Sequence, residues 1–548
     1  MAKYIFVMGG VCSSLGKGIA AASIGLLLKR SGILIKPMKI DPYLNVDPGT
    51  MNPERHGEVF VLEDGSETDL DLGHYERFLN QTLTKDSTLT MGQVYKKVLD
   101  GEREGIFLGK DIQIVPHVTD IIKSSILEAG KNTDVVIVEL GGTVGDIEGL
   151  PVVEAVRQLR HELPKRDTLV VMLTLLPYLK SNNELKTKPT QMAIGALQRM
   201  GIFSDMILTR SDFQIKKDHL EKIALFCNVD LDAVFPAYTL PSIYEVPSAF
   251  AKLGMHKKIM EKLKIEIGTE PDIADFENIC STIQNENTPR IMIAEVTKYN
   301  EMDDAYISVH EAIKAACYNQ GCIPEIIQVQ AEKLEKNDEE EWTKLRLAHG
   351  IVVPGGFGSR GIEGKILAAK YARENNVPYL GLCLGSQIMA VEFARNVCGL
   401  TDAHSTEFDE NTQNPVVHIM ESQKSVYNKG GTMRKGGYPC ALLPGSLAHR
   451  LYGKEHITER HRHRYEFNND YRELLQSHGL TISGSYVEED IAEIVEIAGH
   501  PFMIGSQFHP EFTSRPTDAN PLFVGLVEAA NVYRFASQLN YERVADAR

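Results

Sequence analysis

At 548 residues, 43% of them hydrophobic and 24% charged, the chain is too long for a single hydrophobic core and has the composition of a globular protein with two or more domains. The formal net charge of −16 argues against a general nucleic-acid or membrane-surface binder, since either needs a basic face, but it leaves room for a local basic pocket. The longest apolar run, TLVVMLTLLPYL (168–179), falls short of a bilayer span and contains Pro177.

The first residues run straight into a strand-like segment without a cleavage-type signature, so no signal peptide is expected. Eight cysteines without any C-x-x-C spacing fit a reduced chain better than a disulfide or zinc framework, and the expected location is cytoplasmic.

YIFVMGGVCSSLGKGIAAASIGLLLKRSG (4–32) reads as a strand, a Gly/Ser turn carrying a lysine, and a long apolar helix. Further β-branched runs at 33–40, 134–140, 168–174 and 205–208 alternate with amphipathic helices, which predicts a mostly parallel sheet covered on both faces. The polar, acidic stretch GTEPDIADFENICSTIQNENTP lacks sustained periodicity, and 268–290 is read as a linker between a first domain, 1–267, and a second, 291–540. The second repeats the alternation with strands at 291–296, 350–353 and 379–382 and helices near 303–318, 361–374 and 387–395. Residues 541–548 read as a polar tail. The expected fold class is therefore α/β, with two doubly wound, mostly parallel-sheet domains, the first P-loop-like.

The turn after the first strand departs from the phosphate-binding pattern G-x-x-x-x-G-K-[ST]: Gly10 and Gly16 are one residue too far apart, and Gly18 follows Lys17. Its place is still that of a phosphate cradle, with backbone N–H groups, a helix N-terminus and Lys17 facing an anion. With no Ser/Thr hydroxyl there, a magnesium ion needs carboxylates from elsewhere. Asp71, in EDGSETDLDLGHYER, and Glu139, at the end of DVVIVEL before Gly141, are the candidates. Asp146 and Glu148 follow Glu139 closely in sequence and so fall beside the candidate metal site, and Lys186 and Lys188 in NNELKTKPTQ suit a second phosphate-bearing ligand.

VPYLGLCLGSQ (377–387) is the most specific local signal. It is a strand, a G-x-Nuc-x-G elbow with Cys383 as nucleophile, and a helix whose N-terminus favours thiolate. SQFHPEF supplies His509 and Glu511 as base and orienter, and VVPGGFGSRG supplies Gly355 and Gly356 as oxyanion donors. ERHRHRYEF (459–467) places two histidines among arginines, which repel a cation, so contact with an anion or carboxylate is expected there.

Together the elbow, P-G-G-F-G and F-H-P-E stretches resemble the class I glutamine amidotransferases. GGVCSSLGKGI, MKIDPYLNVDPGTM, HGEVFVLEDGSETDLDLGHYERF, ELGGTVGDIEG and LKTKPTQ resemble the synthetase domain of the CTP synthase family. The resemblance implies ATP-dependent phosphorylation of O4 of UTP and displacement of that phosphate by ammonia from L-glutamine, giving CTP. Ser14, Leu15, Gly16, Lys17, Gly18 and Ile19 would bind ATP with Asp71, and Lys17 and Lys39 would neutralise charge in the transfer. Asp71 and Glu139 would hold Mg2+. Ser13, Asp146, Ile147 and Glu148 would line the UTP/CTP site, joined by Lys186, Thr187, Lys188, Pro189, Thr190, Gln191 and Lys222. Glutamine would meet Gly356, Leu384, Gly385, Ser386, Gln387, Glu407 and Arg464 around Cys383, His509 and Glu511, and His56 and Val59 would lie on the ammonia path.

The resemblance further implies feedback inhibition by CTP, activation by GTP and a homotetramer, with filament assembly possible and no nucleic-acid or membrane partner. Two stretches depart from the family. Tyr238, Thr239 and Leu240 stand where an acidic adenine contact is usual, and Lys435 replaces an apolar residue in the lid stretch GGTMRKGG (430–437). An amidoligase acting on a carboxylate, of the cobyrinate or dethiobiotin type, would leave LKTKPTQ unexplained. A non-catalytic assembly protein would have no use for the intact nucleophile, base and carboxylates.

Overall fold

Seven short runs of the amino-terminal half pair in parallel into one sheet: β1 (Lys3–Gly9), β2 (Ile35–Asp41), β3 (Thr88–Thr90), β4 (Val135–Leu140), β5 (Thr168–Leu175), β6 (Met206–Ser211) and β7 (Val234–Tyr238). The computed structural model describes residues 2–266, 268–298, 303–420, 423 and 432–546. Sheet order is β7-β6-β5-β1-β4-β2-β3: from β1 the chain crosses to β2 and outward to β3, returns to insert β4 between β1 and β2, and then works outward through β5, β6 and β7 on the other side. Such a reversal opens a crevice at the carboxyl ends of the strands, next to β1 and β4. The strands are buried along almost their whole length, as their unbroken apolar runs require when helices cover both faces.

The chain divides into two compact units. The first is Met1–Pro48 with Asp71–Cys280, and the second is Gly49–Leu70 with Ser281–Arg548. Within the first unit, helix α1 (Lys17–Arg30) follows β1 and helix α2 (Asp71–Leu79) packs against α1. Helix α3 (Lys188–Arg199) begins at the KTKPTQ stretch. The polar stretch read as a linker carries helix α4 (Ala274–Gln284), whose Phe276, Ile279 and Cys280 are buried at helical spacing. Phe276 packs on Phe78 and Tyr244 of the first unit, with ring centroids 5.6 Å and 6.0 Å away.

The second unit is built on nine strands: β8 (Arg290–Thr297), β9 (Ile323–Gln330), β10 (Gly350–Val353), β11 (Tyr379–Leu382), β12 (Arg434–Leu442), β13 (His456–His463), β14 (Leu480–Tyr486), β15 (Ile491–Ile497) and β16 (Met503–Ser506). Their order is β9-β8-β10-β11-β16-β15-β14-β12-β13. The first five are parallel, and the remaining four extend the sheet antiparallel. The parallel half carries the elbow, and helix α5 (Leu384–Asn396) follows it directly. The carboxy-terminal stretch read as a polar tail continues helix α6 (Pro521–Asp546), with residues 547–548 outside the described residues.

The most unexpected feature is the place of Gly49–Leu70. Its sequence neighbours lie in the first unit, yet it packs with the second. Strand β13 explains the attachment. Alternation of side chains turns Arg460 and Arg462 to one face and His461 and His463 to the other. Arg460 Nε lies 3.2 Å from Glu63 Oε2 and its Nη1 donates to Val61 O at 3.1 Å. Arg462 Nε donates to Glu67 Oε1 at 2.8 Å and its Nη2 to Gly49 O at 3.0 Å. Two of the three arginines of ERHRHRYEF thus meet carboxylates, and those carboxylates belong to residues of the first half of the sequence.

Candidate functional site

In the first unit the loop between β1 and α1 takes left-handed backbone at Val11 (φ 86°), Ser14 (φ 56°) and Gly16 (φ 87°). Gly16 caps α1 without a side-chain hydrogen bond and the first turn holds no acid, so its N–H groups face outward as an anion site requires. Lys17 is buried, and its Nζ donates to Gly142 O, 2.9 Å away, at the end of β4. Burial holds its ammonium below the ordinary range, with the charge of Lys39 adding to the effect and Glu139 and Asp71 opposing it.

Lys39 gathers the two candidate metal ligands. Its Nζ contacts Asp71 Oδ2 and lies 3.0 Å from Glu139 Oε1, while Tyr75 donates its hydroxyl to Glu139 Oε2. Burial, then the charge of Asp71, raises the Glu139 carboxyl above its usual range, with Lys39 pulling the other way. Two carboxylates converging on one ammonium, one of them buried, are a donor set that suits a hard cation. Among the described residues no cluster of three or more His, Cys, Asp or Glu could hold a metal, so an ion here would complete its shell with phosphate oxygens and water.

The Gly18 departure now has a physical reason. A Cβ built at Gly18 would lie 2.0 Å from Asp71 Oδ1, so the carboxylate delivered by α2 stands where a Ser/Thr side chain would otherwise project.

Beside the loop, a cavity of about 110 Å³ is lined by Leu15, Ile19, Arg210, Tyr238, Leu240 and Phe250. It is the size and character of a slot for part of a flat base. Arg210 was not marked by any motif: its Nη1 donates to Leu15 O (3.0 Å) and its Nη2 to Thr239 Oγ1 (3.2 Å), joining the phosphate loop to the Tyr238–Leu240 stretch.

The residues assigned to the pyrimidine nucleotide fall into two groups. Ser13 and Asp146 lie exposed on loops near the sheet's carboxyl edge, and Ile147 and Glu148 lie exposed in the short 3-10 turn Ile147–Gly149. Lys186 Nζ lies 2.5 Å from Glu184 Oε2, and this pairing, with a smaller contribution from the charge of Lys222, lowers the Glu184 carboxyl. Thr187 and Thr190 are buried, whereas Lys188 is exposed and Pro189 and Gln191 are half-buried. Thr190 donates toward Thr174 Oγ1 (3.1 Å) and Leu175 O (3.2 Å), and Gln191 donates to Thr187 Oγ1 (3.2 Å), so these side chains fasten the start of α3 to the sheet. Among the described residues no hydrogen bond or ion pair joins the two groups.

In the second unit Cys383 sits at the sharp turn from β11 into α5 with φ 50° and ψ −100°. The flanking glycines are required: a Cβ at Gly385 would lie 1.9 Å from Val353 O, and one at Gly381 2.5 Å from Gly385 C. His509 Nδ1 is 2.7 Å from Glu511 Oε1, and among the described residues its buried Nε2 has no hydrogen-bond partner. Burial works against charge on His509, but Glu511 and Cys383 together outweigh it and raise the imidazole to about 10. Gln507 Nε2, 3.6 Å from the Cys383 sulfur, is a further neighbour that the sequence reading missed.

A cavity of about 70 Å³ opens beside the sulfur, lined among others by Gly355, Gly356, Phe357, His509, Arg462 and Val59. Val59 of the inserted segment therefore reaches the site, whereas His56 pairs with Asp69 at 3.5 Å. Glu407 Oε1 accepts from Gly358 N at 3.2 Å, and burial raises its carboxyl. Leu384, Gly385 and Ser386 form the buried first turn of α5. Gln387 turns inward, donating to Tyr465 O (3.0 Å) and Gln507 Oε1 (3.1 Å). Arg464 donates to Gln423 Oε1 (2.7 Å) and Thr432 Oγ1 (3.1 Å). Lys435, the departure in the lid stretch, lies 3.0 Å from Glu67 Oε2; Gly430 and Gly431 of that stretch lie outside the described residues.

Comparison with known proteins matches residues 3–265 to the CTP synthase N-terminus and residues 301–529 to the class-I glutamine amidotransferases. The CTP synthase of Roseiflexus castenholzii is 51% identical over 533 residues, which cover 97% of this chain and 95% of the relative. That of Pelobacter propionicus is 49% identical over 534 residues, covering 97% and 99%. Among solved structures, the Trypanosoma brucei CTPS glutaminase domain with bound acivicin aligns over 44% of this chain and 94% of that domain, with 38% identity and a TM-score of 0.42.

Proposed function

The chain belongs to the CTP synthase family, glutamine-hydrolysing ligases, and from that premise we propose how its residues divide the work. ATP transfers its γ-phosphoryl group to O4 of UTP, ammonia adds at C4, and phosphate leaves, giving CTP, ADP and phosphate. The observation that carries this reading is the convergence of Lys39, Asp71 and Glu139 beside Lys17 at the carboxyl edge of the sheet.

Phosphoryl transfer needs positioning and charge neutralisation more than covalent help. The turn from Ser14 to Ile19 receives the phosphates, while Lys17 and Lys39 offset the charge spreading over the transferred group. Magnesium held by Asp71 and Glu139 supplies further neutralisation when bound. Arg210, Tyr238 and Leu240 flank the adenine. Ser13, Asp146, Ile147 and Glu148, with the 186–191 stretch and Lys222, take the pyrimidine nucleotide, and CTP occupies part of the same site as an inhibitor.

In the second unit the Cys383 sulfur attacks the glutamine carboxamide carbon. The oxyanion is met by the N–H groups of Gly355 and Gly356, joined by that of Leu384 directly after the nucleophile. His509, oriented by Glu511, gives the departing ammonia its proton, and water then releases glutamate from the thioester. Glu407 and Arg464 take the charged end of glutamine, and ammonia passes by Val59 and His56. GTP activation and a homotetramer complete the reading.

The test is direct. Purified protein incubated with ATP, magnesium, UTP and glutamine should form CTP, ADP and glutamate together. Glutamate release without CTP, in the presence of all four, would reject the assignment of the first site.

A further inference from the structure

Lys298 follows β8 and is almost fully buried, at 2% exposure, although no motif marks it. A buried ammonium is costly unless its hydrogen bonds are met. Here they are met by the wall of the Cys383 cavity: Lys298 Nζ donates to Phe357 O at 3.0 Å and to Gly358 O. The other side of the same peptide is held too. Because the Phe357–Gly358 peptide is planar, its carbonyl and N–H point in opposite directions. The carbonyl goes to Lys298 and the Gly358 N–H goes to Glu407 Oε1, 3.2 Å away. Arg360 closes the turn, its Nη2 donating to Lys298 O at 3.1 Å.

The loop gripped in this way continues directly into Gly355 and Gly356. A Cβ built at Gly355 would lie 3.0 Å from His509 Cε1 and 3.7 Å from Cys383 Cβ, so there is no slack between that loop and the reacting groups. An oxyanion donor acts only if its N–H stays within a few tenths of an ångström of where the negative oxygen forms. Glycines cannot provide that rigidity by themselves.

We infer that Lys298 is a positioning residue for glutamine hydrolysis, holding the Gly355–Gly358 loop so that its N–H groups meet the oxyanion formed at Cys383. The inference rests on the reading of Cys383 as the glutaminase nucleophile. Lys298 does not line the cavity beside the Cys383 sulfur. The opposite charges of Lys298 and Glu407 attract one another across the peptide that both hold.

Lys298→Met in the full chain removes the donor and keeps most of the length. Three quantities are measured: kcat and KM for glutamine hydrolysis, the rate of Cys383 alkylation by iodoacetamide, and CTP formation from ammonium. Alkylation proceeds by displacement of iodide and forms no oxyanion, so it reports the thiol alone.

The expected result is a kcat reduced ~10–100-fold, below the full loss of an oxyanion donor. KM should change less than kcat, and alkylation and ammonium-dependent synthesis should stay within about twofold of the parent chain. A raised KM with kcat intact would overturn the inference, assigning Lys298 to substrate binding. An equal fall in alkylation and hydrolysis would also overturn it, because the nucleophile itself would be disturbed.

If Lys298→Met loses ammonium-dependent synthesis as well, Lys298→Gln, which keeps a shorter donor, takes its place under the same criteria. If the parent chain alkylates at Cys383 yet hydrolyses no glutamine, the glutaminase reading itself has failed, a result distinct from those above.

Discussion

Gly18 lacks a side chain because Asp71 stands where one would go. Gly18→Ala should push the Asp71 carboxylate out of the Lys39–Glu139 group and lower CTP synthesis ~10²-fold with either glutamine or ammonium. Glutamine hydrolysis, performed by other residues, should persist, and unchanged synthesis in this variant would show that Asp71 does not act at the phosphates. His509 gives a second residue-level test. The negative charge of Glu511 favours the imidazolium and helps raise it to about 10. Glu511→Gln removes that charge, so His509 should lose its proton at lower pH. The alkaline limb of the kcat profile for glutamine hydrolysis should then move down in pH. An unmoved limb would mean that another group sets it.

At the scale of elements, the segment Gly49–Leu70 is fixed by a strand whose alternation presents two arginines to two carboxylates. Glu67 is fully buried between Arg462 and Lys435. Burial alone would raise its carboxyl, but those two cations outweigh it and hold it below the usual range. Stability from this group is therefore in place above the ordinary carboxylate pKa of about 4.5 and is lost as pH falls through the lowered value. Glu67→Ala strands both cations and should cost about 3–5 kcal/mol in denaturant unfolding at neutral pH, with less lost under acid. An effect below about 1 kcal/mol at neutral pH would show the pair to be solvated.

Little of this attachment was legible in the sequence. ERHRHRYEF suggested carboxylate contacts, but Glu63 and Glu67 lie nearly 400 residues away and carry no local signal. By contrast the elbow and the phosphate loop were legible, because a sharp turn leaves a glycine imprint within a few residues. Helix α4 was hidden for another reason. Its face is Phe276, Ile279 and Cys280 with Ile283 half-buried a turn further on, an i, i+3, i+4, i+7 pattern obscured by the acidic and polar residues around it. Arg210 and Lys298 act through backbone carbonyls, which accept from any suitably placed donor and so leave no residue pattern.

For the whole molecule, the proposed function divides the work into two separable reactions linked by ammonia. Cys383→Ala removes the nucleophile without adding volume or charge. CTP formation from glutamine should vanish, while ammonium at a pH where some NH3 is present should still be converted. Loss of both activities in a folded variant would contradict separate sites, and retained glutamine use would show that Cys383 is not the nucleophile.

The chain passes between its two units at Pro48/Gly49, at Leu70/Asp71 and again at Cys280/Ser281. A single proteolytic nick at the last of these therefore does not free a glutaminase fragment. The piece beginning at Ser281 would still grip residues 49–70, which remain covalently part of the other piece, through Arg460, Arg462 and Lys435. The nicked protein should travel as one species on gel filtration until acid or denaturant releases that grip, behaving like a buckle rather than a hinge pin.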